Sequence, residues 1–219
     1  MADHRPNAIT SREIAIPPLG LKAILTIPDQ ASGMIIFAHG SGSGRKSPRN
    51  NHVARALQQD GFATLLLDLL TPDEELDRAN VFDIALLAAR LSMAARWVRA
   101  QAGLQSIPIG YFGASTGAGA ALVAAARDEP EVAAVVSRGG RPDLAGEWLG
   151  KVRAPTLLIV GSLDGQVIDL NKTAFDALSA PKHMTIISGA GHLFEEPGTL
   201  EEVIVHASAW FAAYLNQND

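Results

Sequence analysis

The sequence predicts an open α/β sheet, mostly parallel, of about eight strands with helices on both faces. Short continuous apolar runs such as MIIFA (Met34–Ala38) and ATLLL (Ala63–Leu67) read as strands buried on both faces. Longer segments of helical periodicity alternate with them, the pattern of βα units. Several runs end in glycine-rich or acidic turns, where a parallel sheet with right-handed crossovers collects its ligand chemistry at the strands' carboxyl ends.

In chain order, residues 12–27 hold two apolar segments separated by Pro18-Leu19-Gly20, which suits an antiparallel hairpin at a sheet edge. Met34–Ala38 begins the parallel part, followed by the loop HGSGSG and a helix over 51–60. Ala63–Leu67 is the next buried strand, and the polar stretch 69–80, with Pro72, reads as a loop. Residues 81–101 read as one long helix, since Ile84, Leu87, Leu91, Ala94, Ala95 and Val98 repeat at helical spacing. Beyond residue 126, strands are predicted at 132–136, 155–160 and 183–187, with helices at 143–149, 171–179 and Thr199–Leu215. Nothing in the sequence marks a repeat or a linker, so residues 1–219 are expected to form one domain.

The composition narrows the function classes. The chain has 219 residues, 47% hydrophobic and 19% charged, enough for one core. A net charge of −5 gives no electrostatic case for nucleic acid, and no apolar run reaches the roughly 18 residues of a membrane span. The first ten residues, MADHRPNAIT, lack the apolar centre of a secretory signal, so a cytoplasmic location is expected. With no cysteine there is neither a disulfide nor a thiolate nucleophile. No cofactor and no metal are expected, and His52, His183 and His206 lack ligand spacing.

Residues 107–126, IPIGYFGASTGAGAALVAAA, organise the rest. An apolar run turns sharply through Gly113-Ala114-Ser115-Thr116-Gly117 and continues as an alanine-rich helix, the context of a G-x-S-x-G nucleophile elbow. A serine at the tip of such a turn is held at strained backbone angles, and only tiny side chains fit two residues to either side, which gives Gly113 and Gly117 a steric reason to be glycine. The same glycines also fit the spacing of a dinucleotide-binding loop. That loop should follow the first strand, however, and neither Tyr111 nor Tyr214 is followed four positions later by lysine. A tight connection with an incidental serine is the plain alternative. Gly44-Arg45-Lys46-Ser47 falls short of a phosphate-binding P-loop because arginine stands where the second glycine is needed.

Two further turns follow strands downstream: Gly161-Ser162-Leu163-Asp164-Gly165 and Gly189-Ala190-Gly191-His192. The order Ser115, Asp164, His192 is the serine, acid, histidine order of α/β-hydrolases. From MIIFAHGSGSG through GYFGASTG and IVGSLDGQV to GAGHLF, the chain resembles the dienelactone hydrolase-like group of that superfamily nearly end to end. The resemblance implies the α/β-hydrolase fold without a cap domain, Ser115 as nucleophile, His192 as base and Asp164 as its orienting acid. It also implies an oxyanion hole from the backbone N–H groups of Ser41 and Thr116. Dienelactone hydrolases carry cysteine at the elbow, whereas this chain has Ser115, which suggests a serine carboxylesterase variant acting on a small-molecule ester.

Other residues have competing roles. His39 is expected to shape the oxyanion loop, and Asp68 to be structural. Arg138 and Arg141 could reach a substrate carboxylate as a fork, or cap helices and pair with acids. Glu195 and Glu196 read as first-turn acids of the last helix. The short connection between the strand at 132–136 and the one at 155–160 leaves no lid, so an open site for short-chain or aryl esters, with lactones also admitted, is expected. Acyl transfer with the same residues, and ligand binding without turnover, are the other functions this sequence admits. Oligomeric state is not legible in it.

Overall fold

The computed structural model describes residues 9–127 and 131–216. The absence of a signal was read partly on residues 1–8, which lie outside the described residues. Eight strands form one sheet: β1 (Ile9–Ile16), β2 (Leu21–Pro28), β3 (Met34–Ala38), β4 (Ala63–Leu67), β5 (Ile109–Ala114), β6 (Ala134–Arg138), β7 (Thr156–Gly161) and β8 (Lys182–Ile187). Their order is β1-β2-β4-β3-β5-β6-β7-β8. β1 and β2 are the expected antiparallel edge hairpin, β2 runs antiparallel to β4, and the remaining pairs are parallel.

The apolar runs are strands because both of their faces are covered. In β3, Met34, Ile36 and Ala38 face one core, and Ile35 and Phe37 the other. One face is packed by α1 (Pro48–Gln59) and α7 (Thr199–Leu215), which contribute Val53, Leu57, Val203 and Phe211. The other carries α4 (Ile84–Arg99), α5 (Thr116–Ala126) and a 3-10 segment (Pro142–Lys151), with Leu87, Leu91, Leu122 and Leu149 in its core. α5 lies between α4 and the 3-10 segment and is buried at ten of its eleven positions, as an all-apolar helix must be. Beneath its start, Phe37 on β3 and Phe112 on β5 are register partners with ring centroids 5.0 Å apart. Such pairs add about 0.5–1.5 kcal/mol beyond buried area and brace β5 where the turn at Ser115 leaves it.

Several expected elements are corrected. The stretch 69–80 holds one short helix, α2 (Pro72–Glu75), and the start of a second, α3 (Arg78–Phe82). The expected helix over 81–101 is broken at Asp83, whose carboxylate accepts the Leu86 N–H at 2.9 Å and caps α4. The helix expected at 171–179 starts earlier, as α6 (Gly165–Ala177). The one expected at 143–149 is 3-10 and kinked at Gly146. β6 runs to residue 138 rather than 136, making Arg138 the last residue of a strand.

Candidate active site

The turn between β5 and α5 places Ser115 at φ 50°, ψ −125°, a conformation that a non-glycine residue holds only when its surroundings enforce it. They do so by close packing. A Cβ on Gly113 would stand 2.5 Å from the Ala118 Cα, and one on Gly117 2.2 Å from the Ala38 carbonyl oxygen, so α5 can leave the sheet this steeply only with glycine at both positions. The loop after β3 lies equally close: a Cβ on Gly40 would stand 2.8 Å from the Ser115 Cβ. Thr116 is the first residue of α5, so its N–H has no intrahelical acceptor. Ser41 and Thr116 line one cavity of about 300 Å³.

His39 holds this loop in place. Its Nε2 accepts the Leu69 N–H at 3.0 Å, which leaves the ring proton on Nδ1, donated to the Gly40 carbonyl at 2.9 Å. Burial lowers the His39 pKa below the ordinary value, so the ring is neutral. It is a structural tie, as the sequence suggested. Asp68 is one too: it accepts the Arg45 N–H at 2.7 Å and pairs with the same residue's guanidinium.

Asp164 stands just past β7, and His192 lies in the loop after β8. His192 donates Nδ1–H to Asp164 Oδ2 at 2.6 Å, the length of a charge-assisted bond, and its Nε2 takes no hydrogen bond from the described residues. Their loops are tied by backbone and side chain. Leu163 N–H donates to the Ala190 carbonyl at 2.9 Å and Gly189 N–H to Ser162 Oγ at 2.8 Å. Gly191 N–H donates to Glu196 Oε2 at 3.0 Å and holds the Glu196 carboxyl below the usual carboxylate range. The reading of Glu195 and Glu196 as helix acids is therefore corrected. Glu196 braces the histidine loop, Glu195 pairs with Arg49 at 2.6 Å, and the first turn of α7 carries Glu201 and Glu202. Pro197-Gly198, a turn before the helix, was the available sign.

Ser115 and His192 line a second cavity, of about 250 Å³, together with Arg49, Asn50 and Arg138. The two arginines of SRGGRPD have different fates. Arg141 pairs with Asp143 through two 2.8 Å bonds, whereas Arg138 is buried at this cavity and donates to Asn50 Oδ1 at 3.1 Å. Asn50 carried no sequence signal.

The β6–β7 connection is short, but Glu75 and Val81 of α2 and α3 wall the 300 Å³ cavity with Leu69, Leu70 and Leu87. The apolar pair Leu69-Leu70, set in a stretch read as polar, was the overlooked sign. Among the described residues no group of three or more His, Cys, Asp or Glu could hold a metal ion, and no helix is long and apolar enough to cross a membrane.

Residues 33–185 match a family model described as the alpha/beta hydrolase fold. A dienelactone hydrolase from Anabaena variabilis superposes with a TM-score of 0.90 at 52% identity, covering 96% of this chain and 100% of that one. The esterase domain of a Rhodothermus marinus protein shares the fold at TM-score 0.73 and 22% identity, covering 95% of this chain and 99% of that one. Two curated Mycobacterium tuberculosis proteins, provisionally named phosphoribosyl transferases, are 56% identical over 203 residues. The match covers 93% of this chain but 46% of theirs, so the chain spans about half the length of the curated relatives it matches. Sheet order, elbow and family match agree: the chain belongs to the alpha/beta hydrolase family, in its dienelactone hydrolase-like group.

Proposed function

We propose that the chain is a serine esterase that cleaves carboxylic esters through an acyl-enzyme. The observation that carries this reading is the 2.6 Å Asp164–His192 bond at the cavity that also holds the strained Ser115. With Nδ1–H committed to Asp164, His192 presents Nε2 as the base. Ser115 Oγ attacks the ester carbonyl carbon while Nε2 takes its proton, and the carbonyl electron pair moves onto oxygen, where the Ser41 and Thr116 N–H groups are the donors. As the tetrahedral species collapses, the bond to the leaving oxygen breaks and that oxygen receives the proton from Nε2. Water, deprotonated by the same nitrogen, then attacks the acyl-serine and releases the acid. Asp164 stabilises the imidazolium formed in each half without taking its proton.

The dienelactone hydrolase relative supports ester chemistry on this scaffold, while a hydroxyl nucleophile and a cavity near 300 Å³ favour short linear or aryl esters. The transferase name attached to the Mycobacterium relatives belongs to proteins more than twice the matched length and is not carried over. A fluorophosphonate probe should label the folded protein at Ser115, located by peptide mass spectrometry, and p-nitrophenyl butyrate should be hydrolysed in preference to the palmitate. An unlabelled folded protein would overturn the reading.

A further inference from the structure

The cavity that Ser115 lines and the neighbouring one, lined by the next residue Thr116, differ in chemistry, and the difference sorts the two halves of an ester. The Thr116 side is walled by Leu69, Leu70, Val81 and Leu87. The His192 side is walled by Arg49, Asn50 and Arg138. Arg138 is 5% exposed, and its only acceptor among the described residues is the neutral Asn50 amide oxygen. Its Nε is buried with no partner, and its guanidinium lies 5.8 Å from the Phe194 ring centroid. No carboxylate among the described residues forms an ion pair with it. Burial, with the Arg49 charge adding to it, pushes its pKa down to about 10, so it remains a cation at neutral pH.

A buried charge without a counter-charge destabilises the fold, and an apolar side chain of similar size would serve it better. What offsets that cost has to come from outside. Arg49, near the start of α1, adds a second guanidinium, and its own acid Glu195 lies on the solvent side with 63% of its side chain exposed. The amino end of α1 opens on the same cavity through Ser47 and Asn50, adding the helix's partial positive charge.

The position of the base gives direction. His192 must return its proton to the leaving oxygen, and it lines the cationic cavity and not the apolar one. Ser41 lines both cavities, whereas Thr116 lines the apolar one alone, and that cavity carries Glu75 at its wall, which would repel an acid placed there. On the esterase reading, we propose that the chain acts on esters joining a short apolar acyl chain to an alcohol or phenol that bears an acidic group. The acyl chain lies against Leu69, Leu70, Val81 and Leu87, and the anion lies on Arg138 and Arg49.

The test compares kcat/KM for the butanoate esters of meta-hydroxybenzoate, meta-hydroxyphenyl phosphate and meta-hydroxybenzamide, which share an acyl chain and place the varied group away from direct conjugation with the leaving oxygen. At least one anionic ester should exceed the neutral one by roughly tenfold or more, the worth of one charge-assisted contact. The faster of the two anions tells carboxylate from phosphate. In Arg138→Met the ratio should fall towards one while the melting temperature does not drop, since an unpaired buried charge has been removed. Equal rates on charged and neutral esters in the wild type, or a preference that survives Arg138→Met or, if that variant fails to fold, Arg49→Gln, overturns the proposal and leaves the esterase reading intact. No turnover of any of the three, with Ser115 unlabelled, overturns both.

Discussion

Two histidines stand at the same rim of the sheet, each in a loop after a strand, and differ in what their second nitrogen meets. His39, after β3, is 8% exposed with both nitrogens engaged by backbone, donating to Gly40 and accepting from Leu69. His192, after β8, has its side chain 40% exposed, with Nδ1 on the Asp164 carboxylate and Nε2 unengaged by the described residues. A ring saturated by backbone partners in a dry site can only hold structure together, because moving its proton would break a buried bond. A ring with one nitrogen fixed by an anion and the other facing a cavity is oriented, able to gain charge, and free to exchange a proton. The same side chain is a rivet in one loop and, on the esterase reading, the base in the other.

The contrast is broken most sharply by removing each ring in turn. His192→Ala should lower kcat on a short aryl ester by on the order of 10⁴-fold or more while the melting temperature stays near wild type, because the lost ring is half-exposed. Activity within tenfold of wild type would remove His192 from the mechanism. His39→Ala should behave in the opposite sense. It strands the Leu69 N–H and the Gly40 carbonyl and opens a cavity, costing about 2–4 kcal/mol, or roughly 5–15 °C in melting temperature for a chain of this size. A melting temperature unchanged by His39→Ala would show that the tie between the loop after β3 and the segment after β4 contributes nothing to stability.

Much of this arrangement was legible because it depends on local chemistry. β3 and β4 were readable to the residue, since each is an uninterrupted apolar run buried on both faces. The elbow was readable because its glycines answer to contacts with Ala118 and Ala38 that any such turn creates. Asp164 and His192 followed from their place after strands. What was not legible depended on register and on partners distant in sequence. Arg138 and Arg141 are the same residue type three positions apart, and nothing local says that one finds Asp143 while the other ends β6 and points its charge into a cavity. The break before α4 was hidden by an apolar repeat that runs through it, although Asp83, a good cap before an apolar run, was the sign to weigh. The wall that α2 and α3 add was missed because Glu75 and Val81 come to share a cavity with the loop after β3 only once the chain has folded.

The smallest expected effect separates the two rings by pH rather than by deletion. Burial holds the His39 pKa below its ordinary value of 6.5, so in acid the unfolded chain takes up a proton at this site that the folded chain refuses. Stability is therefore fully present above about pH 6.5 and falls as pH drops through the window between that value and the lower folded one, by at most about 1.4 kcal/mol per pH unit. Carboxylates held down by the fold, such as Glu74 with its bond from the Thr71 backbone, lose their contribution only below their own ordinary value of 4.5, so the histidine window stands clear of theirs. His39→Gln can keep both hydrogen bonds, with its amide oxygen accepting from Leu69 and its amide nitrogen donating to Gly40, but cannot take the proton. Melting curves between about pH 7.5 and pH 5.5 should then slope downward in the wild type and be flatter in His39→Gln, and identical slopes would mean that the buried ring exchanges its proton as freely in the fold as in water.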